Sequence, residues 1–353
     1  MPERLSDFYQ RTRAAKKIVV IDLGFLGDTV HLIPSLWEID RHYPTASLHV
    51  LTTAIGAELL RMVPCVDRAW VFPLGQKSPA WWRHWDVIRA LRRERFDLAI
   101  NFSGADRTIF LTALTGAKWR VAREGSRQHF WRRALIREWV PQTDLDQPVF
   151  EQRRRVLAQL GFRPEPARFA VEAPPGNSAA PLNDSLPAVH FSINASTPVK
   201  EWPLSHWIKL AEIFLHENPP FHLIATSGAG RREVERLNQF GQTINHPRLR
   251  IFSGVPLADL AATLKQCHAH VGADSGVLHL AAALEVPTLS FFRDYAGLPQ
   301  WLPRGEKHCV LTVPCPCEQT QRRDCAKRGM ADCLEKISPT QAAEILASLL
   351  RRK

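Results

Sequence analysis

Three short segments hold side chains whose types and spacing could do chemistry. In Leu23-Gly-Phe-Leu-Gly-Asp28, Gly24 and Gly27 permit a tight turn and close backbone approach to a ligand. The helix opening there favours negative charge at its start. The segment lacks G-x-G-x-x-G and Gly-Lys-Ser/Thr, so it is neither a dinucleotide fingerprint nor a P-loop. Asp28 reads equally as a first-turn helix acid or a catalytic carboxylate. In Ala273-Asp-Ser-Gly-Val-Leu-His-Leu280, Asp274, Ser275 and Gly276 put a carboxylate, a hydroxyl and backbone N–H groups at one helix start, with His279 one turn along. That suits a phosphate on a hydroxyl-rich ligand, and a capped core helix is the plainer alternative. In Asn194-Ala-Ser-Thr-Pro-Val-Lys-Glu-Trp-Pro203, Ser196 and Thr197 offer hydroxyls and Lys200 a mobile cation for a diphosphate. Otherwise this is a polar loop that Trp202 anchors by packing.

Two further groups bear on partners. Cys315, Cys317, Cys325 and Cys333 are separated by one, seven and seven residues. Zinc ribbons use two-residue knuckles, so the spacing favours buried or free thiols in a structured loop over a bound metal. These four are the one metal candidate, and no metal is expected. The segment Arg107 to Arg137 holds eight basic residues and one acid, Glu124, interleaved with Trp119, Phe130 and Trp131. Its Arg120, Arg123, Arg127, Arg132 and Arg133 could attract phosphates of nucleic acid, anionic lipid or a phosphorylated glycan, or form a solvated basic face.

These residues need elements to position them. The 353 residues are 45% hydrophobic and 23% charged, a globular mix long enough for two domains. The net charge of +11 is uneven: residues 1–180 carry 27 basic and 19 acidic side chains, residues 181–353 carry 19 and 16. The N-terminus shows no apolar signal core, and the longest apolar stretch, 276–292, contains His279, Glu285 and Pro287, which excludes a membrane span. An odd count of seven cysteines argues against a disulfide framework, so a soluble intracellular protein is expected. Buried strands are predicted at 17–23, 48–52, 68–72 and 97–101, with helices near 28–41, 54–62 and 80–95 between them. The pattern pauses at 173–187, rich in Pro, Ser and Asn, and reads as a linker. It restarts with strands at 189–193, 221–226, 249–252, 269–273 and 288–292 and closes with a helix at 339–351. Strands alternating with helices mean parallel sheets. The predicted fold class is α/β, with two Rossmann-like doubly wound domains facing across a cleft and ligands at the carboxyl ends of the strands.

Taken together, the loops resemble the ADP-heptose:lipopolysaccharide heptosyltransferases, glycosyltransferase family 9. The matching segments are Ile18–Pro34 with Leu-Gly-x-x-Gly-Asp, His31 and Pro34; Pro64-Cys-Val-Asp-Arg68; Lys200-x-Trp-Pro203; and Asp274-Ser-Gly-x-x-His279-Leu-Ala-Ala. The Cys-rich tail before Ile337-Ser-Pro339 is similar to that of many members. The resemblance implies a GT-B fold. Residues 1–175 would bind the acceptor, 176–187 link, and 188–353 bind the nucleotide-sugar, with the last helix able to pack back on the first domain. It implies an inverting transfer of heptose from ADP-heptose to the lipopolysaccharide inner core. Asp28 would be the general base and Lys200 would support the leaving diphosphate. Ser196 and Lys200 would hold the diphosphate, Asp274 the sugar hydroxyls, and Ser275, Gly276 and His279 the phosphate region. Glu233 would take the ribose and Val255 the adenine, while Gly24, Gly27 and Asp22 would form the acceptor-side loop. No cofactor and no nucleic acid are implied, and no D-x-D motif is read at a strand end. The acceptor would be a lipid-anchored phosphorylated glycan, met by the basic segment at an anionic surface, with the enzyme cytoplasmic and peripheral at the inner membrane.

The chain departs from the family at Asp22, where many members have Arg or Lys, and at Phe25, where Ser or Arg is frequent. Ala195 and Ala122 replace a hydroxyl residue and a frequent Gly. Three alternatives therefore stay open: transfer of another nucleotide-sugar to a cell-surface glycan, a catalytically silent acceptor binder, and a zinc-containing nucleic-acid-binding protein, which would explain neither glycine loop.

Overall fold

The computed structural model describes residues 6–74, 85–125, 130–142, 144–172, 187–218, 220–319, 325 and 328–351. The chain divides into two compact units, Met1–Glu172 and Ala173–Lys353. In the first, helix α1 (Phe8–Thr12) precedes β1 (Lys17–Ile21), α2 (Leu26–His42), β2 (Ser47–Thr52), α3 (Ala54–Leu60), β3 (Arg68–Val71), α4 (Trp85–Arg93) and β4 (Leu98–Asn101). Helix α5 (Asp106–Leu114), β5 (Trp119–Arg123), α6 (Phe130–Leu135), β6 (Glu138–Val140) and α7 (Val149–Gln159) complete it. The second unit contains β7 (Ala188–Ser192), α8 (Leu204–Glu217), β8 (His222–Ser227), α9 (Arg231–Ile244), β9 (Leu249–Ser253), α10 (Leu257–Gln266), β10 (Ala269–Ala273), α11 (Gly276–Ala283) and β11 (Thr288–Phe291). It ends with β12 (His308–Leu311), α12 (Pro316–Gln319), α13 (Asp332–Glu335) and α14 (Pro339–Arg351).

Each unit builds one six-stranded parallel sheet. The orders are β3-β2-β1-β4-β5-β6 and β12-β11-β10-β7-β8-β9. Read from the other edge, the second repeats the first, and both are the strand order of dinucleotide-binding folds. Central strands such as Ile18–Ile21 and Ala188–Ser192 are buried along their length. Helices cover both faces of such sheets, so these strands read in sequence as continuous apolar runs. The α/β class expected from the alternation is borne out. The alternation passed over β5, β6 and β12. Their sequences are short and partly exposed, and β5, Trp-Arg-Val-Ala-Arg, carries two charges. The start of the 80–95 helix lies outside the described residues, as does most of the linker segment.

The second unit's core gathers Phe191, Trp202, Trp207, Phe214 and Phe291. Trp202 stacks on Phe291 with ring centroids 4.1 Å apart, so it is the packing anchor that its position suggested. Helix α14 buries Ala342, Leu346 and Leu349 in the same cluster and packs on α8. The sequence reading allowed this helix to pack back on the first domain; its buried apolar residues join the second unit's core.

Candidate active site

In each sheet the strand order reverses between two central strands, β1 and β4 in the first, β7 and β10 in the second. Ligands of open parallel sheets bind outside the carboxyl ends at that switch point. The candidate loops leave those strands, and each unit has its own candidate site.

In the first unit, Asp22 follows β1 directly and is buried. Its Oδ2 accepts from the Thr29 hydroxyl at 3.2 Å, and Arg153 of α7 donates to Oδ1 at 3.3 Å. Burial pushes this carboxyl above the usual range, against the pull of Arg153 and with the added repulsion of Asp28. Asp28, half-buried, accepts at Oδ2 from the Phe25 N–H at 3.0 Å, while Arg153 also donates to the Asp28 carbonyl at 2.6 Å. The carboxylate therefore caps α2, as the plainer reading of a first-turn acid required, and its position at the switch point is also that of a site residue. Gly24 is where the chain passes against it: a Cβ there would lie 2.7 Å from Asp28 Cγ. Gly27 is buried in the first turn of α2, and Phe25 is 77% exposed.

The basic segment divides. Arg132 is buried, donates to the Gly104 carbonyl, lies 3.5 Å from Asp106 and sits over the Trp139 ring. Arg120 donates to the carbonyls of Leu135 and Ala117, each at 2.7 Å. Arg120, half-buried, thus ties β5 to α6, and Arg132 ties α6 to the Gly104 carbonyl and Asp106, so both guanidiniums that the sequence reading placed in the acceptor and membrane patch hold partners within the first unit. Arg133 and Phe130 are exposed, and Arg127 lies outside the described residues. Arg123 is different again. It ends β5 at the carboxyl edge of the sheet. Burial and the nearby Arg153 charge lower its pKa, and its Nε makes no hydrogen bond among the described residues.

The second unit's candidate site forms between the loops after β7 and β10. Asp274 is buried, and Lys200 Nζ lies 2.7 Å from its Oδ2. Two groups to which the sequence assigned separate ligands thus meet each other. His279 Nε2 is 4.0 Å from Asp274 Oδ1, and its ring lies 5.7 Å from Trp301. Ser275 is the N-cap of α11, yet its hydroxyl makes no cap bond and is buried with no hydrogen-bond partner among the described residues. Gly276 opens the helix beside it. Burial, with the Asp274 charge, raises the Tyr295 phenol, which keeps its proton. Ser196 is exposed on the loop. Glu201 clamps that loop: it accepts the Ala195 N–H at 3.1 Å and the Arg232 guanidinium at 2.7 Å, and Arg232 in turn donates to the Ala195 carbonyl at 2.7 Å. Glu233 accepts from the Gly228 N–H at 3.1 Å, and Val255 is half-buried after β9.

The sequence reading missed Arg153, Glu201, Arg232, Tyr295 and Trp301. Glu201 stands inside Lys200-x-Trp-Pro203, so a signal existed. Arg153 sits in the run Arg153–Arg155, where nothing in the spacing marks the one arginine that faces Asp22. One D-x-D, Asp144-Leu-Asp146, follows β6 after all; Arg155 lies 2.6 Å from Asp144 there.

Comparison with known proteins agrees with this architecture. A model of "Glycosyltransferase family 9 (heptosyltransferase)" matches residues 84–331, more than half of the chain. The chain is 25% identical to lipopolysaccharide heptosyltransferase 1 of Pseudomonas aeruginosa, over 95% of this chain and 98% of that protein. It is 24% identical to lipopolysaccharide heptosyltransferase 2 of Escherichia coli K12, over 95% and 98%. The structure of Escherichia coli ADP-heptose lipopolysaccharide heptosyltransferase II superposes with a TM-score of 0.76 at 21% identity, covering 95% of this chain and 99% of that one. A family 9 glycosyltransferase from Veillonella parvula superposes at 0.78 with 19% identity, covering 96% and 98%. The fold is GT-B in class, and the chain belongs to glycosyltransferase family 9, the heptosyltransferases.

Proposed function

We propose that this glycosyltransferase moves a heptose from ADP-heptose to the inner core of lipopolysaccharide, with inversion and with Asp28 as the general base. The observation that carries the reading is the second unit's candidate site. A cation, a buried carboxylate and a serine hydroxyl with no hydrogen-bond partner among the described residues meet at the N-terminus of α11, at the switch point of a Rossmann-like sheet. A nucleotide diphosphate attached to a polyol asks for that set. Relatives named as lipopolysaccharide heptosyltransferases, matched along nearly their full length, support heptose as that polyol.

The chemistry follows from the residues. Asp28 removes the proton of the acceptor hydroxyl as its oxygen attacks the anomeric carbon. The bond to the diphosphate oxygen breaks through an oxocarbenium-like state. Lys200 and the α11 N-terminus take the developing diphosphate charge, a role that asks for no metal. Lys200 exchanges Asp274 for the diphosphate when donor binds, and this frees Asp274 to accept from sugar hydroxyls. Ser196 and Ser275 donate to phosphate oxygens, His279 stands beside them, and Glu233 and Val255 line the nucleoside. Arg123 takes an anionic group of the acceptor near the Gly24–Asp28 loop.

Among the described residues, no helix is long and apolar enough to cross a membrane. The enzyme reaches its lipid-anchored acceptor as a peripheral protein on the cytoplasmic face of the inner membrane, through exposed Arg107, Phe130, Arg133 and Arg137. A second reading, transfer of another nucleotide-sugar, is favoured by one feature: buried Asp22 and exposed Phe25 alter the acceptor loop. Incubating the enzyme with a donor panel and truncated lipopolysaccharide cores decides between them. Product gaining the mass of one heptose from ADP-heptose supports the proposal. Consumption of a different nucleotide-sugar alone overturns it.

A further inference from the structure

All seven cysteines are reduced, and four of them converge. The ligand atoms of Cys315, Cys317 and Cys325 lie within 4.8 Å of one another, and all three residues are buried. Cys325 is in hydrogen-bond contact with Cys315 and Cys317, and Cys333, 0% exposed, is in contact with Cys315. We propose that Cys315, Cys317, Cys325 and Cys333 form a closed tetrathiolate site for one divalent transition ion, zinc or ferrous iron, which ties the segment between β12 and α14 into the second unit's core.

Three observations carry this. The first is geometry. A tetrahedral ion with metal–sulfur bonds of about 2.3 Å holds its sulfurs about 3.8 Å apart. The sulfurs of Cys315, Cys317 and Cys325 already lie within 4.8 Å of one another, and Cys333 joins them through its contact with Cys315. A disulfide joins only two sulfurs at about 2.0 Å and gives no reason for four to share one spot. The second is the surroundings. The backbone N–H groups of Asp294 and Leu334 point at the Cys333 sulfur, and Arg328 lies near enough to feel Cys317 and Cys325. N–H···S bonds and a nearby cation are what a site of four thiolates and one divalent ion, net charge −2, requires around it. The third is the fold. The segment between β12 and α14 contributes Cys315, Cys317, Cys325, Ala331, Cys333, Leu334 and Ile337 to the second unit's apolar core. A metal cross-link among these cysteines would tie the segment into that core. The C-x-C spacing that argued against a metal loses its force here: Cys317, in the short helix α12, has its sulfur within 4.8 Å of that of Cys315.

Loading balances as one aqueous divalent ion plus four thiols giving the tetrathiolate complex and four protons. With all four ligand positions filled by buried sulfurs, no site remains for substrate, so the ion is structural and stands apart from the transfer reaction.

The full-length protein, purified under reducing conditions from cells supplied with zinc and iron, tests this by elemental analysis. The expected result is about one ion per chain, and its identity separates zinc from iron. Metal-stripped, reduced protein should take up Co²⁺ and show sulfur-to-cobalt charge-transfer bands with the visible bands of a tetrahedral site. Cys325→Ser and Cys333→Ala should lose the ion, while Cys309→Ser, outside the cluster, should keep it. Should the cluster variants fail to fold, the wild-type Co²⁺ spectrum decides alone. Absence of both bound metal and Co²⁺ uptake, full metal content in the cluster variants, or two disulfides among these four cysteines would each overturn the proposal.

Discussion

Asp28 occupies two roles at once, and its substitutions separate them. Its carboxylate caps the Phe25 N–H at the start of α2, a contact worth about 0.5–2 kcal/mol to a helix. Asn keeps an oxygen for that cap but is no base. We expect Asp28→Asn to lower kcat by roughly 10²–10⁴ with an unchanged melting temperature and donor KM. Asp28→Ala should lose the cap as well and melt earlier. Near-normal turnover of Asp28→Asn would remove the residue from the base role. Gly24→Ala provides a steric counterpart. Its new Cβ would meet Asp28 Cγ at 2.7 Å, so the carboxylate must move, and kcat should fall more than stability does.

The loop after β7 and the helix start after β10 act as one element, coupled through Lys200 and Asp274. This coupling makes the two alanine variants differ in kind. Lys200→Ala removes the cation and leaves a buried carboxylate facing the diphosphate. ADP affinity should drop about tenfold to a hundredfold, the worth of a charge-assisted hydrogen bond. Asp274→Ala frees Lys200, so ADP should bind at least as well while the sugar nucleotide gains little over ADP. Calorimetry with ADP and ADP-heptose reads both. Unchanged ADP affinity in both variants would place the nucleotide elsewhere. Glu201→Ala should slow transfer through the loop it clamps, with a larger effect on donor KM than on kcat.

Over the whole molecule, acid stability and surface charge are the measurable consequences. His190 and His270 are buried in adjacent strands with their Nδ1 atoms 2.9 Å apart. Burial lowers His190 to about 3, and burial, with the repulsion that a second protonated ring beside it would meet, pushes His270 well below the usual histidine range. Unfolded histidines bind protons near pH 6.5, whereas these stay neutral while folded. The unfolded state therefore binds more protons below about pH 6.5, and folding stability declines as pH falls from there towards 3. His190→Gln should flatten that part of the stability curve, which urea unfolding at stepped pH would reveal. The exposed part of the basic segment has its own test. Arg107, Arg133 and Arg137 changed together to Gln should abolish salt-sensitive sedimentation with anionic vesicles while leaving ADP affinity intact, since each charge is worth about 1 kcal/mol at such a surface. Equal sedimentation would mean that these arginines are only solvated.

The amino-acid sequence by itself determined the α/β class and most of the parallel strands, because a strand covered on both faces must be apolar throughout and stops at a turn. It also marked the loops that follow β1, β7 and β10, since glycines, hydroxyls and single charges at strand ends are local signals. Only the tertiary structure decided what depends on which elements become neighbours. The strand order brings β7 beside β10, and so Lys200 to Asp274. The packing of α7 on α2 carries Arg153 to Asp22, a contact 131 residues apart in the chain. Hydrogen bonds to backbone carbonyls tied down Arg120 and Arg132, which composition could not distinguish from exposed Arg133. Four cysteines with an unpromising spacing converged because α12 and α13 fold into the same core. The two units share one strand order with no short repeat in sequence, because many apolar sequences satisfy a buried parallel strand equally well.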